Sequence, residues 1–152
     1  MEENVLITKK IDLDMAHALD NYHGKCRFIH GHTFHFSVTL KGPLINDDQN
    51  PRNGMIMDFG DLKDILNEEI VRNFDHSLII KDTSPYKIIV ENVGSERVNI
   101  MPFQPTCENL LIHFISRVRS RLPEGIELFS ASLQETPSNI AEWHYSESLV
   151  LG

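Results

Sequence analysis

Apolar and polar residues alternate along two stretches in the first third of the chain, as in strands with one buried face. In residues 32–41, every second side chain is apolar: Phe34, Phe36, Val38 and Leu40. Residues 4–15 form a second run compatible with a strand. A polar stretch containing glycine joins the two runs and ends at Ile29. Residues 46–54, rich in Asp, Asn, Pro and Gly, predict a loop.

The middle of the chain changes to helical spacing. Asp58 predicts the N-cap of a helix that runs to about Phe74, and Thr106 behind Pro105 predicts a second N-cap. Residues 126–135 and 140–145 predict two closing strands. This order (strand, strand, helix, helix, strand, strand) favours an α+β fold, with an antiparallel sheet and two helices on one face. The 152 residues fit one domain, residues 1–152.

Composition narrows the class of protein. A formal charge of −8 repels phosphate backbones, which argues against nucleic acid as a partner. A phosphorylated substrate would need a local basic cluster, and Lys25 and Arg27 are candidates. No apolar run reaches the roughly 18 residues of a membrane span. With Cys26 and Cys107 as the two cysteines and an acidic N-terminus, we predict a cytoplasmic protein with free thiols.

Histidines concentrate in one region, where five of the eight lie between residues 17 and 35. His30 and His32 project to the same face of an extended chain, so both could approach one zinc ion. A catalytic zinc site needs a third protein ligand and keeps its fourth position open. His17 is one candidate and His23 the other. On spacing alone, a turn with surface histidines remains an equal alternative.

Carboxylates near these histidines could add a ligand or orient one. Asp12, Asp14 and Asp20 are the candidates, and the sequence does not choose among them.

Two thiols compete for a chemical role. Cys26 lies four residues before His30, between Lys25 and Arg27, and a nearby cation favours its thiolate. Cys107 falls in the first turn of the second helix, where the helix dipole has the same effect, but no histidine is near it in sequence. Cys26 is therefore the first candidate for a base or a nucleophile.

Two carboxylates complete the candidate set. Asp75 directly precedes His76 and could orient that imidazole for proton transfer, although adjacent side chains often point apart. Glu135 shares a predicted strand face with Leu133, Ala131 and Phe129. A carboxylate on an apolar face needs a partner, either an internal cation or a ligand with an amidine-like edge. The alternative is a solvated glutamate at the end of a strand.

Together these motifs resemble the 6-carboxytetrahydropterin and 6-pyruvoyltetrahydropterin synthase family. The matching segments keep the family's order over nearly the whole chain: Ala16-His17, Cys26 to His32, Gly54 to Lys63, Phe74-Asp75-His76, Pro105 to Asn109 and Gln134-Glu135-Thr136. The Cys-x-x-x-His-Gly-His signature is the most specific of them. The resemblance implies a tunnelling fold whose subunits assemble as trimers or hexamers, with active sites between subunits.

The resemblance also implies roles for individual residues. His17, His30 and His32 would bind Zn²⁺, and Cys26, Asp75 and His76 would transfer protons. Glu135 would bind the guanidine-like edge of the pterin, with help from Thr106. The implied enzyme is a carbon–carbon lyase that converts 7,8-dihydroneopterin triphosphate to 6-carboxy-5,6,7,8-tetrahydropterin, a precursor of queuosine-type deazapurines. Acetaldehyde and triphosphate leave.

Some positions depart from the family pattern. Ala18 stands where Arg is frequent, Trp143 stands where Tyr is common, and the segment 81–104 is longer than in compact members. Two alternative functions remain. One is a 6-pyruvoyltetrahydropterin synthase or a related enzyme that cleaves the pterin side chain. The other is a zinc-holding protein that binds a pterin without turnover.

Overall fold

A computed structural model describes residues 3–145 of the chain. Six strands form one sheet: β1 (Asn4–His17), β2 (His30–Pro43), β3 (Ser77–Lys81), β4 (Val98–Met101), β5 (Glu127–Thr136) and β6 (Asn139–His144). The α-helices are α1 (Phe59–Leu66), α2 (Arg72–Phe74), α3 (Ile88–Val93) and α4 (Cys107–Arg119). Strands and helices thus follow the predicted order, with β3, α3 and β4 added between the two predicted helices.

The first two strands form one long hairpin whose register positions the histidines. β1 and β2 pair antiparallel without interruption from Asn4 opposite Pro43 to His17 opposite His30. Phe34 and Phe36 are fully buried on the face predicted from their alternation, whereas His35 is exposed on the other face. Because side chains alternate between faces, this register also places His30 and His32 on the face of Phe34.

The sheet order is β4-β3-β1-β2-β5-β6. The pairs β1–β2, β2–β5 and β5–β6 are antiparallel, as predicted. β3 pairs with the end of β1 in parallel, and β4 pairs with β3 in parallel. The crossover through α3 returns the chain in the same direction, which explains the parallel pairing of β3 and β4. These two short strands were not predicted, because runs of five and four residues carry little periodicity.

Both predicted helices form, and they pack on the apolar face of the sheet. The Asp58 carboxylate accepts a hydrogen bond from the Gly60 N–H (2.7 Å) at the start of α1. α1 continues to α2 through a π-helical stretch, Asn67–Val71. In the core, the ring of Phe114 from α4 packs against Phe36 and Phe74, with ring centroids 5.4 and 5.1 Å apart.

One expected strand face is corrected by a β-bulge. The register between β2 and β5 shifts so that Thr39 faces Ser130 and Leu40 faces Leu128, which leaves Phe129 in the bulge. Leu128, Ala131 and Leu133 are buried, whereas Phe129 is half-buried. Phe129 therefore does not share the face of Leu133 and Ala131, because the extra residue reverses the alternation.

Within residues 3–145, no helix combines the length and the hydrophobicity that crossing a membrane requires.

Candidate metal centre and proton-transfer residues

Three histidines converge where β1 ends and β2 begins. One candidate ligand atom from each of His17, His30 and His32 lies within 4.8 Å of the other two. The ring centroids of His17 and His30 are 4.5 Å apart, and those of His30 and His32 are 5.1 Å apart. We call these three residues the histidine cluster. Strand register alone brings them together, because His17 pairs with His30 and all three lie on the helix-facing side.

Backbone carbonyls orient two of the three rings. The Nδ1–H of His17 donates to the Pro105 carbonyl, and that of His30 donates to the Phe28 carbonyl, each at 2.7 Å. A carbonyl oxygen can only accept, so each of these Nδ1 atoms carries a proton. A neutral imidazole protonated at Nδ1 keeps the lone pair on Nε2. Both rings thus expose Nε2 as a ligand atom, in the orientation that metal-binding histidines require.

The Nε2 atoms of His17 and His32 are buried and lack a hydrogen-bond partner among residues 3–145. An unpaired buried nitrogen is costly, and a metal ion is a partner that resolves it. Burial lowers the pKa of His17, and the neighbouring His30 and His32 act in the same direction. The Pro105 hydrogen bond and Glu135 oppose this shift. His17 is therefore held neutral, which is the form that binds a metal.

Glu135 lies beside the histidine cluster. Its Oε1 is 3.3 Å from Nε2 of His17 and 3.7 Å from Nε2 of His32. The β5–β6 register shifts between Gln134 and Thr136, so Glu135 sits in a bulge opposite no residue of β6. Alternation along β5 places Glu135 on the side of buried Leu133 and Ala131, which is the face that carries the histidine cluster.

The other candidate ligands do not reach the cluster. His23 is exposed on the loop after β1, where it lines a cavity of about 260 Å³ with Tyr22 and Tyr86. The carboxylates of Asp12, Asp14 and Asp20 contact other side chains instead: His35, Thr33 and Thr83, respectively. Asp12 and Asp14 are exposed because they lie on the other face of β1.

Cys26 lies in a 3₁₀ turn, Lys25–Arg27, on the loop between β1 and β2. Its side chain is exposed. The Leu19 N–H donates to the Cys26 carbonyl (2.8 Å), which fixes this turn beside the end of β1. Its thiol is not among the atoms that lie within 4.8 Å of one another in the histidine cluster. The cysteine is thus near the cluster along the chain but faces solvent within one subunit.

The environment of Cys107, the competing thiol, argues against a role as base or nucleophile. It is buried in the first turn of α4, and its S–H contacts the Leu133 carbonyl at 3.2 Å. Burial, assisted by the charge of Glu135, raises its pKa to about 11. The helix dipole therefore does not produce a thiolate here, because desolvation outweighs it.

Asp75 and His76 act as a pair on the exposed side of the β1–β3 junction. Asp75 Oδ2 lies 3.0 Å from Nδ1 of His76, and Asp75 Oδ1 accepts from the Asp14 N–H at 2.9 Å. The His76 N–H donates to the Asp14 carbonyl at 2.7 Å. Asp75 thus directs the His76 proton to Nδ1. The ligand atoms of Asp14, Asp75 and His76 form a group separate from the histidine cluster.

Residues 104–106 connect the histidine cluster to α4. Both polar atoms of the Gln104 amide bind the main chain of Asp20, at 2.6 and 2.8 Å. Thr106 caps α4 by accepting from the Asn109 N–H (3.1 Å). Pro105 lies between them, so its carbonyl is held against His17. Sequence reasoning missed Pro105 and Phe28 as orienting groups, because every residue has a carbonyl and no side-chain signal marks these two.

A family model described as 6-pyruvoyl tetrahydropterin synthase matches residues 6–146. The chain belongs to the 6-pyruvoyl tetrahydropterin synthase family. A protein of Haemophilus influenzae named 6-carboxy-5,6,7,8-tetrahydropterin synthase is 31% identical over 141 residues, covering 90% of this chain and 96% of its own length.

Two solved structures share the fold. A crystal structure of an uncharacterized protein from Wolinella succinogenes has a TM-score of 0.76 at 20% identity and covers 94% of this chain and 99% of that one. The 6-pyruvoyl tetrahydropterin synthase of Caenorhabditis elegans has a TM-score of 0.66 at 22% identity and covers 94% and 96%. The predicted tunnelling fold is confirmed.

Three departures from the family pattern now have a place in the fold. Ala18 is 1% exposed, so its methyl group is enclosed where family members frequently carry Arg. The indole of Trp143 packs under the Arg119 guanidinium, 5.0 Å from the ring centroid. The longer segment, residues 81–104, forms α3 and β4 beside β3.

Proposed function

We propose that this chain is a zinc-dependent lyase that converts 7,8-dihydroneopterin triphosphate to 6-carboxy-5,6,7,8-tetrahydropterin. Acetaldehyde and triphosphate would be released, and the product would feed deazapurine synthesis of the queuosine type in the cytoplasm. The observation that carries the proposal is the convergence of His17, His30 and His32, with the Nε2 atoms of His17 and His32 buried and without a hydrogen-bond partner among residues 3–145. The name of the H. influenzae relative supports the carboxy branch.

The histidine cluster would hold Zn²⁺ through three nitrogens, which leaves the fourth position for substrate. Bound there, zinc would act as a Lewis acid toward the side-chain oxygens of the pterin. The chain's own contribution is orientation, since the Pro105 and Phe28 carbonyls fix the rings of His17 and His30.

Proton transfer would fall to the remaining candidates. Cys26 would remove a proton from the substrate side chain as its thiolate. His76 would donate or accept a proton at Nε2, because Asp75 holds the Nδ1 proton. General acid–base groups of this kind contribute about 10²- to 10⁴-fold to a rate.

Substrate binding would depend on Glu135, whose carboxylate can accept two N–H groups from the planar edge of a pterin. Thr106 would add a contact beside it, since its hydroxyl proton is not used in capping α4. Lys25 and Arg27 are exposed and flank Cys26 in the sequence, so we infer that they bind the triphosphate. A local basic pair is needed because the net charge of −8 repels an anion.

We propose that the enzyme is a homo-oligomer, a trimer or a hexamer, with active sites between subunits. Within residues 3–145, β1 is paired along Asn4–Asp14 by β2 alone, and β6 is the last strand of the sheet. A second copy can pair with such an edge. Assembly would also bring the Asp75–His76 pair of one subunit to the Cys26 thiol and histidine cluster of another.

Product analysis tests the proposal. Zinc-loaded protein is incubated with 7,8-dihydroneopterin triphosphate, and products are identified by mass spectrometry beside a Cys26→Ala control. We expect 6-carboxytetrahydropterin and acetaldehyde from the wild type, and neither from the control. A pyruvoyl product would assign the protein to the other branch of the family. Tight pterin binding with no turnover would favour the non-catalytic alternative.

A further inference from the structure

Arg97 binds the main chain of the turn that carries the Asp75–His76 pair. Its guanidinium donates to three carbonyls: His76 (Nε, 3.3 Å), Arg72 (Nη1, 3.4 Å) and Asp75 (Nη2). Arg72 and Asp75 lie at the C-terminal end of α2, where carbonyls lack helical partners. A planar guanidinium with donors in fixed directions can bind several such carbonyls at once, whereas a lysine ammonium cannot match that geometry.

This turn needs support because its backbone is unusual. His76 has a φ of 59°, in the left-handed region that only a few per cent of non-glycine residues adopt, although asparagine, aspartate and histidine do so more often than other types. The conformation reverses the chain between α2 and β3 and lets Asp75 contact the Nδ1 atom of His76. A strained residue persists only when surrounding contacts determine its conformation. Arg97 supplies contacts on one side, and the main chain of Asp14 supplies them on the other.

The strand after Arg97 adds a second connection. β4 pairs in parallel with β3, and the Arg97 carbonyl accepts from the Leu78 N–H at 2.9 Å. The Asn99 side-chain amide donates to the Asn73 carbonyl (2.8 Å) and to the Ser77 hydroxyl oxygen (3.1 Å). Arg97 and Asn99 thus donate to most of the carbonyls along this turn and to one hydroxyl: those of Arg72, Asn73, Asp75 and His76, and that of Ser77.

We propose that Arg97 is a positioning residue for proton transfer, with Asn99 in a secondary role. Arg97 fixes the left-handed turn at His76. This turn keeps the Nδ1 proton of His76 directed at the Asp75 carboxylate and leaves Nε2 as the nitrogen that transfers a proton. The proposal rests on the proposed function of the Asp75–His76 pair. It assigns the segment between β3 and α4 a part in the reaction, although none of its residues needs to touch substrate.

The tautomer of His76 gives a readout that does not depend on turnover. Long-range ¹H–¹⁵N spectra of ¹⁵N-histidine-labelled protein distinguish a ring protonated at Nδ1 from one that exchanges between tautomers, and His76→Asn identifies the signal. In wild type we expect a ring protonated at Nδ1. In Arg97→Ala we expect both nitrogen shifts to move toward the exchanging average. Unchanged shifts in Arg97→Ala would overturn the proposal.

Kinetics give the second readout. We expect Arg97→Ala to lower kcat about tenfold, because small displacements of a catalytic group are costly. KM should stay within about twofold, since Arg97 does not bind substrate. Arg97→Lys should recover part of kcat, and it becomes the deciding variant if Arg97→Ala does not fold. Arg52→Ala, which removes the same group from an exposed pair with Asp61, should match wild type.

The role of the Asp75–His76 pair and the positioning role of Arg97 can be contradicted separately. If His76→Asn turns over like wild type, the proposed role of the Asp75–His76 pair is wrong. If His76→Asn is inactive while Arg97→Ala keeps both its tautomer and its kcat, only the positioning role of Arg97 is wrong.

Discussion

The histidine cluster and the proton-transfer residues are held by the chain in different ways. The cluster lies on paired strands, with His17 buried and two rings oriented by carbonyls. Cys26 lies on an exposed loop, and His76 directly precedes β3 with its side chain 74% exposed. One subunit therefore brings the histidines of the proposed metal-binding half of the site together by itself, whereas the proposed proton-transfer half, Cys26 and the Asp75–His76 pair, stays dispersed within one subunit.

Loss of a cluster histidine should have the largest effect. His30→Ala removes one of the three proposed ligands, so we expect bound zinc to fall below about a tenth of an ion per chain and turnover to fall below detection. Elemental analysis after dialysis measures the zinc. His35→Ala is the matched control, because His35 lies on the same strand but on the other face and pairs with Asp12. Full zinc retention by His30→Ala would remove His30 from the site.

Loss of the exposed thiol should affect catalysis but not the metal. We expect Cys26→Ala to keep wild-type zinc while kcat falls by about 10²- to 10⁴-fold. Cys107→Ala is the comparison, since its thiol is buried with a pKa of about 11 and should not ionise near neutral pH. It should retain turnover and lose about 1 kcal/mol of unfolding free energy at most. Equal kinetic losses in both variants would contradict the assignment of Cys26.

Mixing two inactive variants tests whether the halves come from different subunits. Cys26→Ala and His76→Asn are each expected to be inactive, and asparagine tolerates the positive φ at residue 76. If sites form between subunits, unfolding and refolding an equal mixture should leave about one quarter of the sites intact. Steady-state rates of the mixture and of each variant treated alone measure this recovery. No recovery, with hybrid oligomers demonstrated, would place both groups in one subunit.

The smallest effect concerns the helix cap beside the cluster. Thr106→Ala removes the acceptor for the Asn109 N–H, so we expect the unfolding free energy to fall by about 1 kcal/mol. Urea denaturation at fixed protein concentration measures it, and Thr106→Ser, which keeps the acceptor, should stay close to wild type. A serine variant as unstable as the alanine variant would show that the methyl group, not the cap, stabilises this turn.

The alternating pattern predicted the position of His30 and His32, but it did not predict the contacts that surround the histidine cluster. Because strand parity is strict, His30 and His32 could be assigned to the face of Phe34 from sequence, and Asp58 and Thr106 marked the two helix starts. The choice of His17 over His23 needed the β1–β2 register. The bulges at Phe129 and Glu135 and the parallel strands β3 and β4 could not be predicted, since each depends on pairing between distant segments.

The carbonyl contacts of His17 and His30 have a consequence for how the proposed zinc ion would be acquired. In a zinc finger, ligand ordering and folding occur together, so removing the ion unfolds the domain. Here the ring orientations are set by the same backbone that builds the hairpin and begins α4, so their conformational entropy is already lost when the chain folds. Metal uptake should then resemble the binding of a ligand to a preorganised site. Apoprotein should remain folded and reload quickly, with little change in its far-ultraviolet circular dichroism.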